Sequence, residues 1–487
     1  METLAELQPE LVFKYFDEIC KIPRASGKEE KIISYLVQFA LENGLEHKKD
    51  KVGNVLIMKK ASEGMENRIP VVLQSHVDMV AEKNGDTVHD FDKDPIPVYV
   101  ENGWVKARGT TLGADCGIGM AAALAVLADK SLKHGALECL FTVDEERGLK
   151  GAKNITKGFF TGKTLVNLDS EDEGELFIGC AGGVNTFIRF TYKMESTPSD
   201  YVGYKVFMTG LLGGHSGDDI NRGRANAIKV LNRFLWRTSR RFDFRISNYD
   251  GGNLINVIPR EAYATLAIHK DLKQKLIDRF EIFKEHIEDE FGKVETNVDI
   301  ELLEVKTPEY VIDELTQFEF LAALHACPSG VLRMSDELEG VVETSTNIAS
   351  VKFINNEIVI STGQRSSIKS KKQYAVDMLT SLFSLTNARV SVSEGYPEWQ
   401  PNVNSKILHV TKSVYEKLFG KQPAVKVIHA GLECGLFLKE YPDLDMISIG
   451  PTVRDAHSPN ERLEIVSVGK FWELLKGILE NAPVATG

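Results

Sequence analysis

The chain has 487 residues, 43% hydrophobic and 26% charged, with 70 acidic against 58 basic side chains and a formal charge of -12. That balance excludes wholesale disorder, leaves room for two or three domains, and argues against nucleic acid, whose phosphates a net negative field repels. Met1-Glu2-Thr3-Leu4-Ala5-Glu6 has no basic region followed by an apolar one, and the longest apolar run, Met120 to Leu127, is too short for a membrane span.

Residues 6 to 44 read as two helices, with apolar side chains at helical spacing through Leu11, Phe13, Phe16 and Ile19, then Ile32, Ile33, Leu36 and Phe39. Ile22-Pro23-Arg24-Ala25-Ser26-Gly27 breaks them apart. Strand and helix then alternate: a strand at Val71-Val72-Leu73, an alanine-rich helix from Gly117 to Ala128, and strands at Leu137 to Val143 and Thr164 to Leu168. Such alternation predicts an α/β layer, a sheet flanked by helices. Near Gly182-Gly183 the character changes. Strands at 184 to 193 and 201 to 208, a helix from Arg224 to Trp236, a strand from Ala262 to His269 and a charged helix from Leu272 to Phe291 suggest an α+β unit. Glu394-Gly395-Tyr396-Pro397 returns the chain to the first domain, and element signals resume at Ser405 to Leu418 and Met446 to Gly450. The expected division is a catalytic domain of residues 1–183 and 398–487 with an inserted domain at 184–397. The six cysteines are scattered without paired spacing and read as reduced thiols, which points to the cytoplasm.

Four acidic or histidine clusters stand just after apolar strands or at a helix start. In Ser75-His76-Val77-Asp78, alternation places His76 and Asp78 on one side, so the carboxylate can hold the ring while its other nitrogen binds metal. Gly113-Ala114-Asp115 opens a helix, where an aspartate serves equally as an N-cap. Asp144-Glu145-Glu146 follows a core strand, at the end of the sheet where α/β folds bind ligands. Adjacent glutamates there can divide metal binding from proton transfer. Val166-Asn167-Leu168-Asp169 is an apolar strand ending in aspartate. Each is weak alone. Together His76, Asp115, Glu146 and Asp169 are hard or borderline donors suited to Zn²⁺, Mn²⁺ or Co²⁺, and two ions sharing a carboxylate need a further histidine, for which His457 is the candidate. Spacing alone does not bring it to the others.

The ordered set Ser75-His76-Val77-Asp78, Gly113-Ala114-Asp115, Asp144-Glu145-Glu146, Leu168-Asp169 and Ala456-His457-Ser458, with Gly213-Gly214-His215-Ser216-Gly217 in the insertion, resembles the aminoacyl-histidine dipeptidases. These co-catalytic zinc peptidases are also called cytosol non-specific or Xaa-His dipeptidases. The resemblance implies a zinc-peptidase catalytic domain, a mixed sheet flanked by helices, with an inserted lid. It implies two Zn²⁺ per chain, replaceable by Co²⁺ or Mn²⁺, with Asp115 bridging, His76 and Asp169 at one ion, and Glu146 and His457 at the other. Glu145 would be the general base acting on a water between the ions, and Asp78 would orient His76. His215 would reach the oxyanion from the lid, whose ends look like hinges. Asn256 and Arg365 resemble substrate-binding positions, arginine being a natural clamp for a carboxylate. Glu433, in His429-Ala430-Gly431-Leu432-Glu433, would contact the substrate amine or cap the following helix.

The implied substrates are unblocked dipeptides of broad type, Xaa-His and β-alanyl-histidine included. An N-acyl amino acid deacylase or a tripeptidase on the same scaffold is the alternative, since pocket shape determines the substrate. A non-catalytic metal-stabilised binding protein fits less well, because Glu145 and Asp78 have catalytic jobs and both are present. A homodimer through the lid stays open.

Overall fold

The structure, a computed structural model, describes residues 4–484; Met1 to Thr3 of the N-terminal reading and the last three residues lie outside them. The chain divides into two compact units. The first comprises Met1–Gly179, Trp399–Val427 and Leu432–Gly487, the second Cys180–Glu398 and Ile428–Gly431.

The first unit is built on an eight-stranded mixed sheet. Its order is Glu46–Lys49, Val55–Lys59, Leu137–Thr142, Val71–His76, Thr164–Asn167, Asp445–Ser448, Glu175–Cys180 and Ala424–Ile428. Leu137–Thr142, Val71–His76, Thr164–Asn167 and Asp445–Ser448 run parallel to one another. Val71–His76 is buried along its whole length, and it opens on the unalternated apolar run Val71-Val72-Leu73 before the buried polar residues Gln74, Ser75 and His76. The helix Ala114–Ala128 is likewise buried almost throughout and packs on Val71–His76 and on the helix Glu10–Cys20. Gly119 permits that approach, since a Cβ there would lie 2.4 Å from the Leu168 carbonyl oxygen. A four-stranded sheet, Val453–Arg454, Arg462–Glu464, Trp104–Ala107 and Val98–Glu101, carries the loop that holds His457.

The second unit is a nine-stranded antiparallel sheet in the order Asp299–Val305, Tyr201–Thr209, Ala262–His269, Arg245–Gly251, Val342–Ile354, Glu357–Ser366, Gly182–Thr191 and Arg389–Val392, with Gly330–Met334 also paired to Val342–Ile354. Four helices, Ala227–Ser239, Lys273–Phe291, Glu314–Ala326 and Lys369–Phe383, share a core with it that includes Phe190, Phe234, Tyr249, Phe320 and Phe383. In Ala227–Ser239 the buried residues Ala227, Ile228, Leu231, Phe234 and Leu235 recur at helical spacing, so Arg233, Arg237 and the cap residue Arg240 fall outside that stripe.

Two expected elements shift. The helix expected from Arg224 starts at Ala227, because the Asn226 side chain caps it by accepting from the Ile228 and Lys229 amides. The expected N-cap role of Asp115 is not seen: Gly113, left-handed at φ 69°, precedes the helix, and Asp115 itself is non-helical. Regular helix begins past Cys116.

Candidate active site

The parallel strands bring their C-terminal ends level. His76 pairs across from Thr142, Gln74 from Asn167, and Ser448 from Asn167. The segments that leave those ends therefore emerge side by side, at the edge where open α/β sheets place ligands. A buried polar network lies beneath them. Asn167 Nδ2 donates to Gln74 Oε1 at 2.6 Å, and Gln74 Nε2 donates to Glu433 Oε2 at 2.6 Å. Thr142 Oγ1 donates to the same oxygen at 2.7 Å. Glu433 heads a short helix but makes no capping bond; it is fully buried, and Oε1 is without a hydrogen bond. Burial raises its carboxyl to about 7, with His76 and the Thr142 bond opposing.

Asp115 divides its two oxygens between two imidazoles. His76 Nε2 lies 3.0 Å from Oδ1 and His457 Nε2 lies 3.0 Å from Oδ2. Each ring has a second carboxylate beside it: Asp169 Oδ1 is 3.4 Å from His76 Nε2, and Glu146 Oε1 is 3.0 Å from His457 Nε2. Neither of those outer oxygens has hydrogen-bond geometry, so both are buried and unsatisfied. Leaving such atoms unmade is costly, which marks a place built for another partner.

The charges agree. Burial would depress His76, yet the Asp169, Asp115 and Asp78 carboxylates hold it well above its ordinary value. The bond to Asp115 and the adjacent Glu146 carboxylate push His457 up to about 11. Burial raises Asp169 to about 6 against the pull of His76. The surrounding carboxylates thus favour positive charge at both ring positions. Donor atoms of His76, Cys116 and Asp169, of His76, Glu145 and Glu146, and of Asp115, Glu146 and His457 each lie within 4.8 Å of one another. Cys116 is the poor donor in this set, because burial lifts its thiol well above the usual range and Sγ points at the Leu168 carbonyl. Imidazoles and carboxylates in two overlapping groups fit a pair of divalent cations such as zinc.

Asp78 serves both neighbours. Its Oδ1 lies 3.4 Å from His76 Nδ1, and its two oxygens accept the Glu145 and Glu146 amides at 3.0 and 3.3 Å. Burial would raise it, but the His76 bond and the Glu145 amide hold it at about 2. Glu145 is the opposite case. Burial raises it well above the carboxylate range, His76 opposes, and Asp169, Glu433 and Glu146 add to the rise. It follows Asp144, whose φ of 51° is left-handed and whose carboxylate is clamped by Arg147.

Two further residues brace the site. Arg24 is buried and donates to the Val77, Asp78 and Gly113 carbonyls, tying the His76 and Asp115 segments together. Glu461 accepts from the amides of Leu112, Gly113 and Ala114 at 2.7–2.8 Å and of Asp115 at 3.4 Å. Neither carries a local signal, because each matters only through backbone groups remote in sequence.

In the second unit, Gly214–His215 pairs with Val257–Ile258, and the Ser216 amide donates to the Asn256 carbonyl at 2.8 Å. The Asn256 side chain is exposed. His215 Nδ1 is 3.0 Å from Asp218 Oδ2, while its Nε2 faces Arg365 Nη2 at 3.5 Å. Arg365, late in Glu357–Ser366, donates from Nη1 to the Tyr396 hydroxyl at 2.8 Å. Burial would raise Asp218, but His215 and Arg365 hold it down. His429 Nε2 meets Ser345 Oγ at 2.7 Å, and burial, aided by Arg365, pushes its ring down to about 3. His215, Asn256 and Arg365, more than 100 residues apart at the extremes, thus share one neighbourhood within this unit.

A family model described as peptidase family M20/M25/M40 matches residues 72–481. The chain is 45% identical over 483 residues to the cytosol non-specific dipeptidase of Escherichia coli, covering 99% of this chain and 100% of that protein. The crystal structure of aminoacylhistidine dipeptidase from Vibrio alginolyticus superposes with a TM-score of 0.92 at 44% identity, covering 100% of this chain and 99% of that one. Aminopeptidase PepT from Bacillus cereus, 16% identical with a TM-score of 0.57, covers 98% of this chain and 99% of its own and shares the fold.

Proposed function

Because this chain belongs to peptidase family M20/M25/M40, a family of metallopeptidases, we propose that it is a metal-dependent dipeptidase hydrolysing the peptide bond of unblocked dipeptides. The observation that carries the reading is Asp115, whose two oxygens each meet a different histidine. That is the arrangement a carboxylate shared by two cations requires. The full-length similarity to relatives named dipeptidases supports the substrate class.

On this reading Asp115, His76, Asp169, Glu146 and His457 hold two divalent ions, zinc being the natural occupant of such donors. Bound there, the ions would polarise the scissile carbonyl and acidify the attacking water. Glu145 takes the proton from the attacking water and returns it to the leaving amine, its carboxylate lying beside the proposed ligands His76 and Glu146. Asp78 keeps the His76 ring aimed and ties down the backbone of both glutamates. In the second unit, Arg365 takes the substrate carboxylate and His215 the oxyanion, with Asp218 orienting the ring through Nδ1. Asn256 is assigned to substrate contact. For Glu433 the burial and the bonds to Gln74 and Thr142 favour a role beneath the site, with its free Oε1 the atom available to a substrate amine. The buried cysteines and the absence, among the described residues, of any helix able to cross a membrane suit a cytoplasmic enzyme.

The test is a substrate panel with zinc-loaded protein: an unblocked dipeptide, its N-acetyl form, an N-acetyl amino acid and a tripeptide. The dipeptide should be cleaved fastest. Preference for the N-acetyl amino acid would move the assignment to a deacylase, and preference for the tripeptide to a tripeptidase.

A further inference from the structure

In the second unit, the C-terminal end of Ala227–Ser239 and the helix Lys273–Phe291 enclose an open pocket of about 330 Å³. Arg237, Arg240, Arg241, Arg279, His286 and Trp236 line it. We propose that this pocket binds a small phosphate-bearing anion.

Four guanidiniums share one small pocket on a chain whose net charge is -12. Among the described residues, no carboxylate pairs with any of them. The neighbouring Arg233 differs in having a carboxylate partner, its Nη1 lying 2.7 Å from Glu290 Oε2, although its Nε and Nη2 are also buried without a hydrogen bond. Arg279 bears the consequence of the crowding. Its Nε is buried without a hydrogen bond, and burial, then the charges of Arg241 and Arg237, weaken its hold on its proton.

Helix geometry explains only part of this. The C-terminal end of a helix attracts cations, and Arg279 Nη2 uses it by donating to the Arg237 carbonyl at 3.1 Å. One helix end, however, presents roughly half a unit of negative charge. Arg240 is also accounted for in part, lying 5.6 Å from the Trp236 ring centre. Arg237 and Arg241 are exposed and keep their forks for solvent or ligand.

The ligand chemistry follows from count and shape. A guanidinium offers planar paired donors that match phosphate oxygens, and a phosphate carries about two charges and three free oxygens where a carboxylate has one charge and two. Several forks with His286 beside them suit the larger demand. This proposal is independent of the peptidase assignment, since it uses none of the residues given to metal or dipeptide.

Calorimetric titration of the zinc-loaded chain with inorganic phosphate, at fixed ionic strength in chloride, tests it. The parent should show saturable binding, and R237Q/R241Q should bind at least about tenfold more weakly. R241Q alone should fall between them, and melting curves in chloride report whether both variants are folded. A parallel titration with glycerol 3-phosphate identifies the source: the tighter of the two ligands distinguishes a phosphate ester from the free ion. Equal affinity in parent and double variant would place the phosphate elsewhere, at the metals for example, and overturn the proposal. So would the absence of saturable binding below about 10 mM.

Discussion

In the first unit Asp115, Glu146 and Asp169 crowd around two imidazoles, whereas in the second Arg365 stands beside His215 with Asp218 behind the ring. The first collection is short of positive charge, whereas the second sets a guanidinium beside its imidazole. Each is held differently. The carboxylates and His76 leave parallel strand ends or a loop strapped by Arg24 and Glu461, so their positions are set mainly by backbone bonds. Arg365 and His215 depend on side-chain partners, Tyr396 and Asp218. On the proposed reading, the contrast is between a unit that fixes cations in place and one that receives charge that a substrate brings or develops.

The largest expected effect lies in the first unit. Glu145→Ala should lower kcat by about 10²–10⁴ while metal content, measured by atomic emission, stays at the parent level. Near-normal turnover would put the base elsewhere. If metal were lost with activity, Glu145 would be a ligand.

Next comes the division of labour in the second unit. His215→Ala should reduce kcat by about 10²–10³, because an oxyanion exists only after attack. Arg365→Ala should instead raise KM, since the carboxylate is present throughout the cycle. A dipeptide amide should be a poor substrate for the parent and nearly indifferent to Arg365→Ala. Equal sensitivity of acid and amide would remove Arg365 from that role.

A smaller effect separates the stability of the second unit from its chemistry. His429 has a folded pKa of about 3 against an ordinary 6.5. Between those values the unfolded chain binds a proton that the folded chain refuses, so stability falls as pH drops below 6.5. The loss at pH 5 is about 2 kcal/mol. His429→Gln should therefore flatten the decline in melting temperature between about pH 7 and pH 5. An unchanged decline would show that this ring does not govern it.

Much of this was readable in the chain before the fold. Ala262 to His269 appears as the strand expected, and the helix from Gly117 to Ala128 lies inside Ala114–Ala128, because long apolar stretches carry strong local patterns. The fold of the region after Phe291 was not legible. Glu314–Ala326, Val342–Ile354 and Lys369–Phe383 went unassigned there; Val342–Ile354, for instance, buries polar Glu343, Thr344, Ser345, Thr346 and Asn347 among its neighbours, which blurs the period. Candidate residues at strand ends could be singled out because an acid or histidine after an apolar run is a visible break. Arg24, Glu461, Asp218 and Tyr396 could not, since their importance lies in contacts with groups that only folding brings near.

The most direct test of the account is to strip the chain with chelator and restore zinc in measured equivalents while following dipeptide hydrolysis. Two ions sharing Asp115 predict negligible activity without metal and a rise that levels off at two equivalents per chain. Full turnover in the stripped protein, or a plateau at one equivalent that further zinc does not alter, would contradict it.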